Sequence, residues 1–387
     1  MTPGPERGSE DIAREPGGPD PDELLALVGL RMLPGVGDRR VVRLVRSHGS
    51  ARRALGLPRE ALGKALGEEA ATALADPSFE SRAKRVLERC SELGVDVVPI
   101  GSGAYPEQLL RLVDPPPLLF LRGDASLLQR PTVAVVGSRR PSPVGRRTAE
   151  RIGQDLAHAG VVVASGMALG IDGAAHRGAL RAGGGTVAVL GSGPERAYPA
   201  SNRDLFREIL RSGLVVTEFP PDEPALPFNF PRRNRIIAAL SSGVVVVEAG
   251  QKSGALITAD HALDLGVEVF AVPGSVELDQ AFGTNHLIQE GAHLVTRGWE
   301  VVEALGWPSA PPRPEGAEGA EASSGRVPLP ELITVKGLLG PAPRSLDSLV
   351  HGLDLPAERV LAALTRLELA GSVVRSEEGW RVERPSA

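Results

Sequence analysis

The central part of this 387-residue chain predicts an α/β fold built on a doubly wound, mostly parallel sheet. Short runs of β-branched and apolar residues recur between Thr132 and Thr296, among them TVAVVGS, VVVAS and GVVVVEA. Such runs are typical of parallel strands that helices cover on both faces. Segments with helical spacing separate the runs, for example residues 145–159 and 254–265. Residues 94–124 predict an additional strand and connecting elements that lead into the sheet.

The N-terminal part predicts a tail and then a helical domain. Residues 1–20 are rich in Pro, Gly and charge without apolar periodicity, so we expect a disordered tail. Residues 21–80 predict a helix-hairpin-helix or SAM-like domain, with a PGVG turn at residues 34–37 between two helices. This module has two interpretations. It either serves packing alone, or its turn offers backbone N–H groups to a DNA phosphate, with three arginines just beyond: Arg39, Arg40 and Arg43.

The C-terminal part predicts a linker and a second, smaller domain. After the sheet domain, placed at residues 81–307, residues 308–328 are rich in Pro, Gly, Ala and Glu and predict a flexible linker. Residues 329–387 predict three short helices and a β-hairpin, the order of a winged helix. We favour a protein contact over DNA reading for this domain, because its third helix carries charges of both signs: Glu358, Arg359, Arg366 and Glu368.

Composition narrows the classes of function. The net charge of −5 requires that any nucleic-acid site be a local concentration of arginine. Cys90 is the single cysteine, which excludes an intramolecular disulfide and a cysteine-built zinc site and fits a reducing compartment. The sequence has no run of roughly 18 apolar residues and no signal-peptide pattern at its start. We therefore expect a cytoplasmic protein without a membrane segment.

The predicted strand ends carry small and cationic residues. Parallel sheets bind ligands at the carboxyl ends of their strands, where backbone N–H groups and helix N-termini stabilise negative charge. The turns here therefore predict a phosphorylated ligand. The candidate residues in these turns are Gly137, Ser138, Arg139, Ser165, Gly166, Asn202, Lys252, Ser253 and Gly254.

The densest basic cluster is the segment FNFPRRNR at residues 228–235. Arginine forks bind phosphates, and a phenylalanine ring can stack on a base at about 1–3 kcal/mol per base. This mixture suits backbone-plus-stacking recognition of a single strand. In the alternative interpretation the phenylalanines anchor the core and the arginines are solvated at the start of a helix. The candidate residues are Phe230, Arg232, Asn234 and Arg235.

Motifs for catalysis and common cofactors are missing from the sequence. The first turn reads GSRRPSPVG rather than G-x-G-x-x-G, and neither a P-loop, an H-E-x-x-H pair nor a G-x-S-x-G elbow occurs. Asp172 and His176 stand at helical spacing and could form an acid–base pair, but we favour a capping aspartate and a packed histidine. We expect no catalytic residue, no metal, no cofactor and no enzymatic activity.

Six ordered segments together resemble the DprA/Smf family over about residues 94–305. They are VAVVGSRRPS, SGMALGIDGAAH, GSGPERAYPASN, TEFPPDEPALPFNFPRRNRIIAALS, VVVVEAGQKSGALITADHAL and VFAVPGSVELDQAFGTNHLIQEGA. The resemblance implies an extended Rossmann-like fold with a basic pocket for single-stranded DNA. It also implies a homodimer, and loading of the recombinase RecA onto the strand in natural transformation and homologous recombination. The helix-hairpin-helix-like region and the winged helix resemble accessory domains of the same family.

The resemblance also implies roles for individual residues. Arg139 of the GSR segment and three residues of the FPRRNR segment, Arg232, Asn234 and Arg235, would line the pocket, with Phe230 as a stacking face. Some members carry Lys or Arg where this chain has Ala200, in the YPASN segment. This difference affects the positive charge at that edge of the implied pocket.

Two rival functions remain. Rossmann-like phosphoribohydrolases cleave nucleoside monophosphates in a similar crevice and carry a P-G-G-x-G-T-x-x-E motif. The comparable region here reads EAGQKSGALITA and lacks that glutamate, which disfavours a nucleotide-processing enzyme. A duplex-binding transcription regulator that uses the winged helix is the third interpretation.

Overall fold

The computed structural model describes residues 20–307, 334–340, 342–353, 355–369, 372–376 and 379–382. The chain divides into two compact units, Met1–Ala310 and Pro311–Ala387. The predicted linker lies outside the described residues, as does the predicted tail up to residue 19. None of the helices in the described part is both long and apolar enough to cross a membrane.

Between residues 20 and 95, six helices precede the sheet. The first begins where the Asp20 carboxylate accepts the backbone N–H of Asp22, and Pro21 occupies a helix position that needs no donor. The second ends at Gly49 and the sixth at Gly94, both with positive φ. The helices are α1 (Pro21–Arg31), α2 (Asp38–His48), α3 (Ala51–Leu55), α4 (Arg59–Leu66), α5 (Glu68–Leu74) and α6 (Phe79–Leu93).

These six helices form a module that packs directly on the sheet. Its core of Leu27, Leu30, Val41 and other apolar residues continues onto Leu118 and Phe120 of the second strand. The predicted domain boundary at residue 80 falls in the first turn of α6, whose buried Ala83, Val86 and Cys90 belong to the same core.

Nine strands of residues 20–307 form one sheet. Its order is β1-β2-β6-β5-β4-β3-β7-β8-β9, antiparallel from β1 to β6 and parallel from β6 to β9. The predicted α/β class with a mostly parallel sheet is confirmed. The strands are β1 (Asp96–Pro99), β2 (Leu118–Gly123), β3 (Thr132–Val136), β4 (Val162–Ser165), β5 (Thr186–Val189), β6 (Leu214–Thr217), β7 (Gly243–Val246), β8 (Glu268–Ala271) and β9 (His293–Leu294).

Helices cover both faces of the parallel strands. On one face Val133, Val135 and Val163 meet α7, α8 and α13, and α9 packs on the neighbouring strands β5 and β6. On the other face Val136 and Val246 meet α10 and α11. The helices are α7 (Pro143–His158), α8 (Ile171–Arg181), α9 (Arg203–Ser212), α10 (Asn229–Ala239), α11 (Gly254–Asp264), α12 (Phe282–Gln289) and α13 (Gly298–Ala304).

The C-terminal unit has its own small core. Helices α14 (Leu346–His351) and α15 (Ala357–Leu369) precede an antiparallel hairpin of β10 (Val373–Ser376) and β11 (Gly379–Val382). Residues such as Leu349, Leu364 and Trp380 form the core. This helix-then-hairpin order is that of the predicted winged helix.

Candidate nucleic-acid interface

The sheet order places a cleft at the carboxyl ends of β3 and β7. From β3 the chain adds β4, β5 and β6 on one side of the strand and then crosses to β7 on the other side. The loops that follow β3 and β7 therefore diverge and leave a crevice between them, as at other switch points of open α/β sheets. The cleft there has a volume of about 760 Å³, and residues after β3 and β7 line it together with α10 and α11.

The floor of the cleft consists of backbone. Gly137 follows β3, and a Cβ at this position would lie 2.7 Å from the Ile171 side chain and 2.9 Å from the Glu248 carbonyl oxygen. The Ser138 N–H donates to that same carbonyl at 2.7 Å, and the Ile171 N–H donates to the Ser138 carbonyl at 3.1 Å. Only glycine allows this close approach, which brings the backbone after β3 to the ligand side.

Glu248, which the sequence interpretation missed, fixes the start of α7. The Ser142 N–H donates to its carboxylate at 2.9 Å and the Ser142 hydroxyl donates at 2.5 Å. The same hydroxyl accepts the Gly145 N–H and caps α7. A Cβ on Gly145 would collide with the Glu248 carboxylate. The loop that carries Arg139 is thus held at both ends.

An aromatic ring under a guanidinium lines one wall. Phe230 is half-buried and stacks on Tyr198 with ring centroids 5.3 Å apart and planes inclined by 27°. The Arg139 guanidinium carbon lies 5.5 Å from the Phe230 ring centroid. A Cβ at Gly191 would lie 2.8 Å from the Phe230 ring, so the ring rests on bare backbone. The arrangement pairs a stacking face with a phosphate-binding cation.

Arg233, also missed from the sequence, forms the deep end of the cleft. Its Nη1 donates to the Gly166 carbonyl at 2.8 Å and to the carbonyl of Val189. Asp172 accepts the N–H groups of Gly166 at 3.1 Å and of Ala168 at 3.3 Å. Burial lowers the pKa of Arg233 to about 10, which leaves it cationic at neutral pH, and burial raises the pKa of Asp172.

The opposite wall is the N-terminus of α11. Ser253 caps this helix by accepting the Ala255 N–H at 3.3 Å, and the Asn234 amide donates to the Gly254 carbonyl at 3.1 Å. Lys252 is exposed and lines the cleft beside them. A helix N-terminus next to a lysine favours an anionic ligand.

The cleft is locally cationic in a chain that is acidic overall. Its lining contains four basic side chains and two acidic ones, a balance of +2 against the net −5 of the whole chain. The buried Asp172 is bonded to backbone N–H groups, which leaves Asp279 as the exposed acid of the lining. The basic residues are Arg139, Arg140, Arg233 and Lys252.

Three predicted residues lie behind the cleft rather than in its lining. The buried Ser165 hydroxyl donates to the Val135 carbonyl at 2.6 Å. The buried Asn202 amide donates to the carbonyls of Met167 and Ala168 at 3.0 and 3.2 Å. Gly166 contributes the carbonyl that receives Arg233. These residues shape the loop after β4. The prediction that they form part of the cleft lining is therefore wrong.

The prediction that Arg232 and Arg235 line the cleft is wrong. Both guanidinium groups donate to the Glu218 carboxylate at 2.8 Å and also reach Asp38 of α2. The physical reason is helical periodicity: Phe230, Arg233 and Asn234 share one face of α10, whereas positions 232 and 235 face the helical module. The segment therefore divides between a face that lines the cleft and a buried ionic cluster.

Asp172 and His176 have different hydrogen-bond partners in the structure. Asp172 accepts backbone N–H groups, whereas the buried His176 ring bonds the Thr186 hydroxyl at 2.7 Å. Burial lowers the pKa of His176 to about 3, so this ring is neutral at physiological pH. The described residues contain no group of three or more His, Cys, Asp or Glu side chains that could hold a metal ion.

Fold and cleft define an α/β protein of the Rossmann-like class with a cationic, aromatic-lined crevice at its switch point. Residues 96–306 match the family model described as DNA recombination-mediator protein A, and residues 319–379 match the DprA winged helix domain. The chain is 40% identical over 288 residues to protein Smf of Escherichia coli (strain K12), covering 73% of this chain and 76% of that protein. The chain belongs to the DprA/Smf family.

Further relatives agree with this assignment. DNA processing protein DprA of Streptococcus pneumoniae is 48% identical over 198 residues, covering 51% of this chain and 70% of that protein. Its crystal structure matches with a TM-score of 0.61 at 35% identity, over 73% of this chain and 97% of that chain. The Helicobacter pylori protein, described for its unique single-stranded DNA binding mode, matches with a TM-score of 0.51 at 30% identity, over 56% of this chain and 97% of that chain.

Proposed function

We propose that this chain binds single-stranded DNA in the cleft between β3 and β7. The observation that carries the proposal is the Phe230 ring, which stacks with Tyr198 and lies beneath the Arg139 guanidinium. A strand can place a base on such a ring while its phosphates meet Arg139 and the start of α11. The single-stranded DNA binding named for the Helicobacter pylori relative supports the proposal.

Binding without catalysis is the form of the proposal that we favour. The two groups considered as an acid–base pair are engaged elsewhere, since Asp172 accepts backbone N–H groups and His176 is a neutral ring bonded to Thr186. A phosphoribohydrolase would need a carboxylate free to act on the ribose. Glu248 lies at this end of the sheet, but it holds Ser142.

We also propose that the bound strand is handed to the recombinase RecA, in natural transformation and homologous recombination in the cytoplasm. The family description as a recombination mediator supports this role. A homodimer is part of the same proposal. Its support is a group of exposed apolar side chains near the β9 edge of the sheet: Val276, Leu278, Phe282 and Leu294.

Titration with labelled oligonucleotides tests the binding proposal. We expect the wild-type chain to prefer single strands over duplex, with log affinity falling linearly with log salt. Arg139→Ala should flatten the slope by about 0.7, the value for one phosphate contact on a single strand. Arg85→Ala, an exposed arginine of α6, serves as the control and should leave the slope unchanged.

Other outcomes would replace the proposal. A preference for duplex would favour the transcription-regulator interpretation, and release of free base from nucleoside monophosphates would favour the enzyme.

For the RecA role, we expect the wild-type chain to accelerate RecA assembly on a single strand and Arg139→Ala to lose that effect. Sedimentation equilibrium measures the oligomer, and a monomer at assay concentrations would remove the dimer from the proposal.

A further inference from the structure

The exposed side of α2 carries three arginines that have no acidic partner among the described residues. Arg39, Arg43 and Arg46 stand at i, i+4 and i+7 and are all exposed, whereas Val41 and Leu44 face the core. We call these three residues the α2 arginine stripe. Within the described part of the chain, no salt bridge or side-chain hydrogen bond involves any of them. From the helix rise, the stripe extends about 10 Å along α2.

Several other basic residues of the same module have carboxylate partners. Lys64 binds Glu60 at 2.8 Å, Lys84 binds Glu80 at 2.7 Å, and Arg89 binds Glu92 at 2.7 Å. Asp38 is the acidic residue of α2. Its buried carboxylate forms ion pairs with arginines behind the helix, among them Arg31 at 2.8 Å. The stripe is thus a local excess of positive charge on a chain of net −5.

Like charges at i, i+4 repel each other and destabilise a helix, and Arg39 and Arg43 stand at this spacing. An anion bound along the stripe would relieve this repulsion. Evenly spaced arginine forks on an exposed helix suit the repeated phosphates of a nucleic-acid backbone.

The hairpin turn before α2 is a poorer phosphate site. Arg40 Nη1 donates to the carbonyls of Gly35 and Leu66 at 3.4 and 3.5 Å and covers the turn. A Cβ on Gly35 would lie 3.6 Å from the Glu69 carboxylate, which places negative charge beside the turn. Arg40 and Glu69 offset each other's charge at the turn, so the excess positive charge of the module lies along the stripe.

The stripe lies next to the helix that lines the cleft. Asp38, the first residue of α2, contacts Arg232 of α10, and Arg232 stands between Pro231 and Arg233 of the cleft lining. The first residue of the stripe, Arg39, therefore directly follows the residue of α2 that contacts α10.

We propose that the α2 arginine stripe binds the phosphate backbone of the single strand that continues out of the cleft. The inference rests on the proposed binding of single-stranded DNA by the cleft. It assigns the helical module a second, sequence-independent contact that lengthens the binding site.

The test compares a short oligonucleotide of about 6 nucleotides with a long one of about 30, using the full chain. In one variant Arg39→Gln, Arg43→Gln and Arg46→Gln are combined. The control combines Arg82→Gln, Lys84→Gln and Arg85→Gln on α6, which removes the same charge from the same module. We expect the stripe variant to bind the short oligonucleotide like the wild type and to lose about 2 from the salt slope on the long one, for three phosphates. The control should keep the wild-type slope.

Each alternative result is decisive. An unchanged slope on the long oligonucleotide, equal losses on both lengths, or a loss confined to duplex DNA would overturn the inference. The corresponding triple Arg→Lys variant keeps the charge and must retain the steep slope. If its slope is as shallow as that of the Gln variant, the loss is not due to charge and the inference fails. If the wild-type chain binds neither oligonucleotide, the proposed function itself fails, which is a different outcome from failure of the stripe alone.

Discussion

Glu218 is the most informative residue for a pH experiment, because it is a carboxyl group buried between charges. It follows β6, is fully buried, and accepts bonds from Arg232 and Arg235 at 2.8 Å, with Asp38 opposite. Burial and the neighbouring Asp38 raise the pKa of Glu218 from 4.5 to about 7, against the pull of the arginines. Asp38 has its pKa lowered, although burial opposes the shift, because Arg31 and Arg232 bind its carboxylate.

The raised pKa fixes the sign of the pH effect. Between pH 4.5 and about 7 the folded protein holds a proton on Glu218 that the unfolded chain releases. The stability contributed by this group is complete below pH 4.5 and is lost as the pH rises through 7. A difference of about 2.5 pKa units corresponds to about 3 kcal/mol in the free energy of unfolding.

Glu218→Gln removes the titrating group and keeps the shape of the side chain. The stability of the variant relative to the wild type should therefore increase by about 3 kcal/mol between pH 4.5 and pH 8. At about 2 °C per kcal/mol for a large domain, the difference in melting temperature should change by about 6 °C. Calorimetric scans of both proteins across this range measure it, and the contribution of His176 cancels because both proteins contain it.

Glu195→Gln provides a control with the opposite sign. A hydrogen bond from Arg89 lowers the pKa of Glu195, so its stability contribution is present above pH 4.5 and lost on acidification. That variant should lose stability relative to the wild type as the pH rises. A difference between Glu218→Gln and the wild type that stays constant from pH 4.5 to 8 would refute the raised pKa of Glu218.

Three further substitutions separate the cleft from its support. Phe230→Ala should weaken single-strand binding by about 1–3 kcal/mol in an anisotropy titration, whereas Phe228→Ala, 67% exposed and outside the cleft lining, should not. Gly191→Ala places a methyl group 2.8 Å from the Phe230 ring and should weaken binding while the salt slope is kept; unchanged affinity would contradict the stacking role. Arg235→Ala should cost about 3–5 kcal/mol in urea denaturation, since it removes one of the two arginines that bind the buried Glu218 carboxylate, and a flattened salt slope with wild-type stability would contradict its assignment to the buried cluster.

The sequence was sufficient for features that depend on local pattern. Continuously apolar β-branched runs predicted the parallel strands, and glycines at strand ends predicted the backbone floor at Gly137. Parallel topology brings the carboxyl ends of strands together, so the turns after β3 and β7 could be expected at one edge. Eight of the predicted residues line the cleft: Gly137, Ser138, Arg139, Phe230, Asn234, Lys252, Ser253 and Gly254.

Features that depend on orientation could not be read from the sequence. Almost all of the FNFPRRNR segment lies within α10, which begins at Asn229 with Pro231 tolerated in its first turn. The helical phase then directs Arg233 into the cleft and Arg232 away from it. Glu248 gave no signal either, because its role depends on α7 approaching from another strand. The composition gives the number of arginines, but it does not show which face of a helix each of them occupies.

The two faces of α10 connect the helical module to the cleft. One face carries Phe230 and Arg233 into the cleft, and the other presents Arg232 and Arg235 to Glu218 and to Asp38 of α2. A substitution at Arg232 or Arg235 therefore disturbs the position of α10 against the helical module. Weaker DNA binding would then follow from a displaced side of the cleft rather than from a lost phosphate contact. The salt slope distinguishes the two causes, because a displaced wall lowers affinity at every salt concentration whereas a lost phosphate contact changes the slope. The same measurement thus separates residues that touch the strand from residues that hold the helix against which it lies.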